Sequence, residues 1–174
     1  MENKKHREDI TGNIMKIKGI IFEDFINYKS PCMTIMMPIC KEFKCDHECG
    51  MPVCQNSALA YAPIKEYANT SIVQAYRVNP ISKALCFQGL EPFDSFDDMY
   101  DLIYVFRELY SITDDIVIYT GYNKSEIENQ LLQLKQFSNI IVKFGRYVPN
   151  SAQVYDGILG VKLASSNQYA ERIS

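Results

Sequence analysis

A chain of 174 residues, 47% apolar and 22% charged with only eight Gly and seven Pro, is long enough to bury a core of its own and too poor in Gly and Pro to be collagenous or of low complexity. Eighteen basic against 21 acidic residues leave a net charge of −3, and no block of like charge is long enough to grip a phosphate backbone, so nucleic acid is not the expected partner. No run approaches the ~18 apolar residues a membrane span needs. Residues 1–9 lack the apolar core of a signal peptide, and the expectation is a cytoplasmic protein away from any membrane.

Residues 1–13 read as a disordered polar tail and 14–174 as a single domain. Residues 15–22 alternate and then turn continuously apolar, and residues 33–39 form a second short apolar run rich in strand formers, so both are predicted as strands. From 40 to 55 the periodicity collapses into Cys, Gly, Pro and charge, a loop longer than is common without a function. Residues 56–78 have mixed helical character, broken at Pro63, and residues 84–87 are a further strand. Ser95 with Asp98 resembles a capping box, and Met99, Leu102, Ile103, Phe106, Leu109 and Tyr110 recur at helical spacing behind it. A strand at 115–119, a helix opened by Ser125 and Glu128, a strand at 140–144 and a last strand near 158–163 complete the chain. Strands alternating with helices predict an α/β fold with a parallel sheet, either doubly wound or curved into part of a barrel, and the segments after residues 39, 87 and 119 would converge on its carboxyl rim, where such folds place their chemistry.

Four of the six cysteines fall at 40, 45, 49 and 54. In a reducing compartment such a cluster reads as metal ligands before disulfides. Structural zinc prefers two close pairs separated by a longer arm, which the x4, x3, x4 spacing does not give, although all four cysteines, or three plus His47, could hold one ion. An electron-carrying ferredoxin loop would use x2 spacings and a distant fourth Cys. Unliganded core thiols fit poorly with the Lys, Glu, Asp and His that interrupt the run. Three thiolates around a [4Fe–4S] cube would leave the fourth iron open to a small molecule. His47 reads as solvated, His6 falls in the tail, and Asp94, Asp97 and Asp98 read as a helix N-terminus complementing its dipole.

Cys45-Asp-His-Glu-Cys49 followed by Cys54-Gln-Asn56-Ser57 resembles the cluster loop of radical S-adenosylmethionine enzymes, and in particular of the activating proteins of anaerobic ribonucleotide reductases. Gln88-Gly-Leu-Glu-Pro92 is similar to that family's Gly-Gly-Glu/Asp-Pro motif, Ile118-Tyr-Thr-Gly-Tyr122 to its strand-end Thr-Gly-Tyr, and Ser165-Ser-Asn-Gln168 to a motif near its C-terminus; together they span residues 15–170 or so. The departures are specific. No strict C-x3-C-x2-C is present, so Cys45 and Cys54 pair either with Cys40, the preferred third ligand, or with Cys49, the alternative. Leu90 replaces the second Gly, and Lys143-Phe-Gly145 stands where an Asp-Gly is usual.

The resemblance implies a partial (β/α) barrel of about five or six units with an extended cluster-binding loop. It also implies a [4Fe–4S] cluster that reduces S-adenosylmethionine to a 5′-deoxyadenosyl radical, and a glycyl radical installed on a partner anaerobic ribonucleotide reductase large subunit, with a flavodoxin or ferredoxin type protein as electron donor. By the same resemblance Gly89 and Glu91 would meet the methionyl ammonium, Asn56 would bond cofactor or loop, and Thr120, Gly121 and Tyr122 would shape the adenosine pocket. A radical enzyme acting on a small molecule and a zinc-stabilised interaction module are the alternatives.

Overall fold

A computed structural model describes residues 12–174. Of the tail expected over residues 1–13, residues 1–11 lie outside that range. The strands are β1 (Ile14–Ile17), β2 (Gly19–Asp24), β3 (Cys32–Met37), β4 (Lys65–Ala68), β5 (Ala84–Gly89), β6 (Asp115–Tyr119), β7 (Ile140–Phe144), β8 (Val154–Asp156), β9 (Val161–Leu163) and β10 (Tyr169–Arg172). The helices are α1 (Lys44–Cys49), α2 (Asn69–Val78), α3 (Phe96–Tyr104) and α4 (Glu128–Leu134). No described helix is long and apolar enough to cross a membrane.

Six strands form one mixed sheet in the order β10-β7-β6-β5-β3-β2. β3, β5, β6 and β7 run parallel, and β2 and β10 close the two edges antiparallel. Four parallel strands therefore stand where five or six β-α units were expected, because each outer position is taken by an antiparallel strand. The inner strands are apolar on both faces, as a sheet covered on both sides requires. Met33, Ile35, Met37, Leu85, Phe87, Ile116, Ile118, Ile140 and Val142 point to one face and pack against Ile72, Val73 and Tyr76 of α2, Met99, Leu102 and Ile103 of α3, and Leu131 and Leu134 of α4. On the other face Cys32, Cys86, Val117 and Ile141 pack against Tyr28, Leu159 and Leu163. All the long helices thus share one face, and the opposite face is left for the hairpin β8–β9 and the turn between β2 and β3.

Several local features differ from the sequence expectations for physical reasons. The segment from 56 to 78 is a 3-10 turn (Ser57–Tyr61), then β4, then α2, because β4 pairs antiparallel with β1 over Ile14↔Ala68 to Ile17↔Lys65. Helix α3 gives way to a π-helical turn at Val105–Leu109. There the buried Arg107 turns back and donates to the carbonyls of Ile112 (2.6 Å), Asp114 (2.8 Å) and Ser138 (3.0 Å). Ser95 makes no side-chain cap, and the capping box that does form pairs Asn123 with Glu126, ahead of the helix that Ser125 and Glu128 were expected to open. Of the strand expected at 158–163 only residues 161–163 are extended, as β9 paired antiparallel with β8, and β10 on the β7 edge had no expectation at all.

The β2–β3 turn and the hairpin lock together beneath the sheet. Asp24, buried, accepts from Ile26 N, Asn27 Nδ2 and Thr34 Oγ1, which sets the turn. Tyr119 Oη donates to Asn27 O, Tyr28 Oη donates to Asp115 Oδ2 (2.6 Å), and Lys29 N donates to Leu159 O (2.7 Å). Gly160, at φ +73°, lies so close to Lys29 that a Cβ would fall 2.6 Å from the lysine Cβ. Gly160→Ala should accordingly lose about 1–3 kcal/mol from backbone strain alone, read as a lower thermal midpoint, and an unchanged midpoint would show that the hairpin does not need this close approach.

Candidate metal centre

The cysteine segment is not structureless. Phe43, at φ +44°, starts the single helical turn and a half of α1, and Gly50, at φ +64°, ends it with its N–H on the carbonyls of Asp46 and His47. Asp46 Oδ1 accepts from Val53 N and Cys54 N, both at 2.7 Å, and this holds the Cys54 backbone against the helix that carries Cys45. At the start of the segment, Lys41 N donates to Asp94 Oδ2 (2.7 Å). At its end, Lys18 Nζ donates to Ala62 O (2.6 Å). His47 is exposed.

Cys40, Cys45 and Cys54, each half-buried, line one cavity of about 390 Å³ at the carboxyl ends of the parallel strands. Cys49 is half-buried too but is not part of that wall. Among the described residues no three His, Cys, Asp or Glu side chains converge as ligands of a single ion; three thiols instead ring the cavity. Backbone N–H groups point at each sulfur: Phe43 at Cys40, Tyr147 at Cys45, Asn56 and Ser57 at Cys54. Burial pushes the Cys40 thiol up to about 11, the carboxylates of Glu91 and Asp94 and the Cys54 sulfur push the same way, and the Phe43 N–H opposes them. Burial also raises Cys45 and Cys54, and Cys54 adds to the rise at Cys45. Without a cation to bind, these sulfurs stay protonated; a metal that takes their protons removes that cost.

Opposite the thiols, Glu91 is buried and nearly saturated. Its Oε1 accepts from Thr120 Oγ1 (2.6 Å) and Phe93 N (3.1 Å), and its Oε2 from Gly121 N (2.9 Å). Burial pushes its carboxyl up to about 7 against the pull of these three donors. Thr120 is buried, and its Oγ1 in turn accepts from Tyr122 N (3.0 Å). Gly121 packs so that a Cβ would stand 3.9 Å from Cys45 Sγ. Tyr122 points away from the main cavity, with its Oη on Asp94 Oδ1 (2.8 Å) and the Lys44 ammonium 4.6 Å from its ring centre. Asp94, expected only to complement a helix dipole, thus ties the first residue after Cys40 to the β6 rim. Gly89 lies at φ +94° against Leu59 and Met36 in the wall. Leu90, also in the wall, is buried, and Asn56 lines it from the exposed side.

Two cations complete the rim: Lys143, met in the sequence only as a departure from an Asp-Gly, and Arg146, not singled out there. Lys143 is the one charged residue in β7 and lies in the cavity wall, 6% exposed, donating to Gly145 O (2.9 Å) and Thr120 O (3.5 Å). Burial holds its ammonium down to about 8, opposed by Glu91 and Cys45. A lysine inside an apolar central strand is itself a signal, since burying it is costly. Arg146 is gripped in two-pronged fashion by Glu126 (2.6 and 2.7 Å), and its Nε stands 2.8 Å from Glu48 Oε1 as an ion pair whose angle is too poor for a hydrogen bond. Lys44 adds a further pair to Glu126 at 3.1 Å, so α1 is fastened to the β7 rim at both ends. The Ser165-Ser-Asn-Gln168 motif braces the same rim. Asn167 Nδ2 donates to Arg146 O (2.9 Å), Gln168 Nε2 to Gly145 O (3.2 Å), and Ser165 Oγ accepts from Val148 N (3.2 Å).

A family model described as a 4Fe-4S single cluster domain matches residues 40–168, about three quarters of the chain. The chain belongs to that family. The 4Fe-4S single cluster domain begins at Cys40 and ends at Gln168, the same two residues between which the thiols, the rim and the bracing motif lie. No curated protein and no solved structure matches the chain. The donor chemistry suits the four-iron cluster of the family: soft sulfurs around a cavity, each facing a backbone N–H of the kind that tunes such clusters. This sets the iron–sulfur reading above the zinc one.

The Arg146 guanidinium holds the Glu126 carboxyl from its ordinary 4.5 down to about 2, with the Asn123 N–H and Lys44 adding to it against a cost of burial. A folded value below the unfolded one means the stabilisation is complete above about 4.5 and disappears as pH falls toward about 2. The melting temperature of the metal-free chain should fall over that window, and Glu126→Gln should lower it at neutral pH and flatten that part of the curve. An identical profile for the two proteins would remove the rim network from the account of stability.

Proposed function

We propose that this 4Fe-4S single cluster domain is a radical S-adenosylmethionine activase, with Cys40, Cys45 and Cys54 as cluster ligands and an anaerobic ribonucleotide reductase as the partner on which it installs a glycyl radical. The observation that carries the reading is the shared cavity: three thiols on one side, and Asn56, Gly89, Glu91, Thr120 and Gly121 on the others. Three sulfurs leave one iron of a cube without a protein ligand. Held there by Cys40, Cys45 and Cys54, such a cluster would supply the one-electron reduction of the sulfonium nucleoside on which glycyl radical formation in the partner depends.

The chain's own residues supply position, charge and exclusion of water. The carbonyl edge at Gly89 and the remaining lone pair of Glu91 suit a methionyl ammonium. Thr120 and Gly121, fixed through Glu91, shape the side next to Cys45. Tyr122, held by Asp94, supports that turn from behind. A cavity of about 390 Å³ lies at the lower end of the ~300–1,000 Å³ of small-molecule sites. It suits one cofactor better than a cofactor with an enclosed metabolite, which favours a macromolecular substrate at the mouth. We read the sheet, with parallel strands advancing in one direction, helices on one face and the cavity on the other, as the wall of a partial (β/α) barrel. A flavodoxin or ferredoxin type donor would supply the electron.

Anaerobic reconstitution with iron and sulfide should give a brown protein with about four irons per chain, whose reduced magnetic signal changes on adding S-adenosylmethionine. Cys40→Ala, Cys45→Ala and Cys54→Ala should each abolish that response, and Cys49→Ala should keep it. Retention in Cys40→Ala with loss in Cys49→Ala would exchange the third ligand, and one tight zinc in a colourless protein would overturn the proposal. Asp46→Ala removes both bonds that seat Cys54 and should weaken iron binding by ~10–100-fold, measured by chelator competition, with the far-ultraviolet spectrum preserved.

A further inference from the structure

We propose that Lys143 sets the reduction potential of the cluster, its buried ammonium beside Cys45 favouring the reduced state. The inference rests on Cys45 being a ligand, as proposed above. In β7 the sequence Ile140-Ile-Val-Lys-Phe144 is apolar except at this position, and the pairing Tyr119↔Lys143 turns the lysine to the cavity side. There it is 6% exposed and, among the described residues, forms no ion pair within 4 Å of a carboxylate. Its ammonium donates to two carbonyls, Gly145 O and Thr120 O. The two anionic groups acting on it through space are Glu91 and Cys45, and Glu91 already takes three other donors.

A buried cation without a paired anion is costly, and the fold keeps this one where a thiolate-bound cluster would supply the missing negative charge. Reduction adds one electron from a low-potential donor of the flavodoxin or ferredoxin class. No bond forms or breaks and the lysine keeps its proton, so the only change at Lys143 is one more unit of negative charge nearby. In a water-poor site that charge is screened weakly, and the reduced form gains more from the ammonium than the oxidised form does. Lys143 is thus a positioning residue of charge, acting through the Cys45 side of the cluster.

The test is a dithionite titration of the anaerobically reconstituted full chain against redox mediators, without S-adenosylmethionine, the reduced cluster being read by paramagnetic resonance. Lys143→Gln keeps hydrogen-bond donors and loses the charge. At a fixed potential it should lower the ratio of reduced to oxidised cluster about tenfold, equivalent to ~59 mV for one electron. Lys143→Arg should restore the wild-type ratio, and Lys135→Gln, an exposed lysine away from the cavity, should match wild type. An unchanged ratio in Lys143→Gln would overturn the inference, as would loss of iron uptake in that variant, which would make the lysine an assembly residue. Failure of the wild-type chain to take up four irons would instead sink the ligand assignment, and a normal cluster with no response to the nucleoside would sink the activase reading alone.

Discussion

A single buried carboxylate holds the rim together. Glu91 leaves β5 and its two oxygens reach the hydroxyl of Thr120, the N–H of Gly121 and the N–H of Phe93, so two neighbouring strand ends are pinned to each other through one side chain. Its own backbone N–H donates to Ile39 O (2.8 Å), which adds a third strand end, the one from which the cysteine segment departs. Each buried donor and acceptor here is satisfied by the others, and removing one would leave its partner unpaired at a cost of about 1–3 kcal/mol. The positions of Cys40, through the Glu91 backbone, and of the Gly121 edge beside Cys45, through its carboxylate, therefore depend on the same residue.

Around this bracket the cysteine segment is fastened by charges. Arg146 spans Glu126 and Glu48, Lys44 reaches Glu126 from the start of α1, and Asp94 receives Lys41 N and Tyr122 Oη. Exposed ion pairs are individually weak. These share partners, and Arg146 is almost fully enclosed, so ordering one side chain lowers the cost of ordering the next. The result is a short segment with little regular structure whose three sulfurs nevertheless have set places in one wall, inside the span that matches a 4Fe-4S single cluster domain.

Much of this was legible in the sequence, and the illegible part has a common cause. The parallel strands at 84–87, 115–119 and 140–144 announced themselves because buried strands are continuously apolar, and the rim motifs at Gly89, Glu91, Thr120 and Gly121 stand beside them as the alternation of strands and helices implied. Cys40, Cys45 and Cys54, far enough apart in sequence for the loop to have scattered them, line one cavity. What pattern could not show were elements whose stability comes from distant partners. β4 carries Lys65 and Glu66 and pairs only because β1 lies beside it; β10 is polar and exists by virtue of the β7 edge; the π-helical turn follows from where Arg107 finds carbonyls. Arg146 gave no warning, since its partners Glu126 and Glu48 are remote in sequence. Lys143 did, as a charge inside an apolar run, and Gly50 could have marked the end of α1.

Two of the six cysteines lie apart from all of this. Cys32 and Cys86 sit side by side on β3 and β5 with no solvent exposure, the Cys32 sulfur 3.7 Å from Thr34 Oγ1 and from Asp24 O, sealed under Tyr28 and Leu159. Iron and sulfide arriving from solution would meet only the four thiols of the segment, so the fold sorts its sulfurs by depth before any metal is offered. Packing alone keeps the two inner sulfurs out of reach of whatever the outer four can meet.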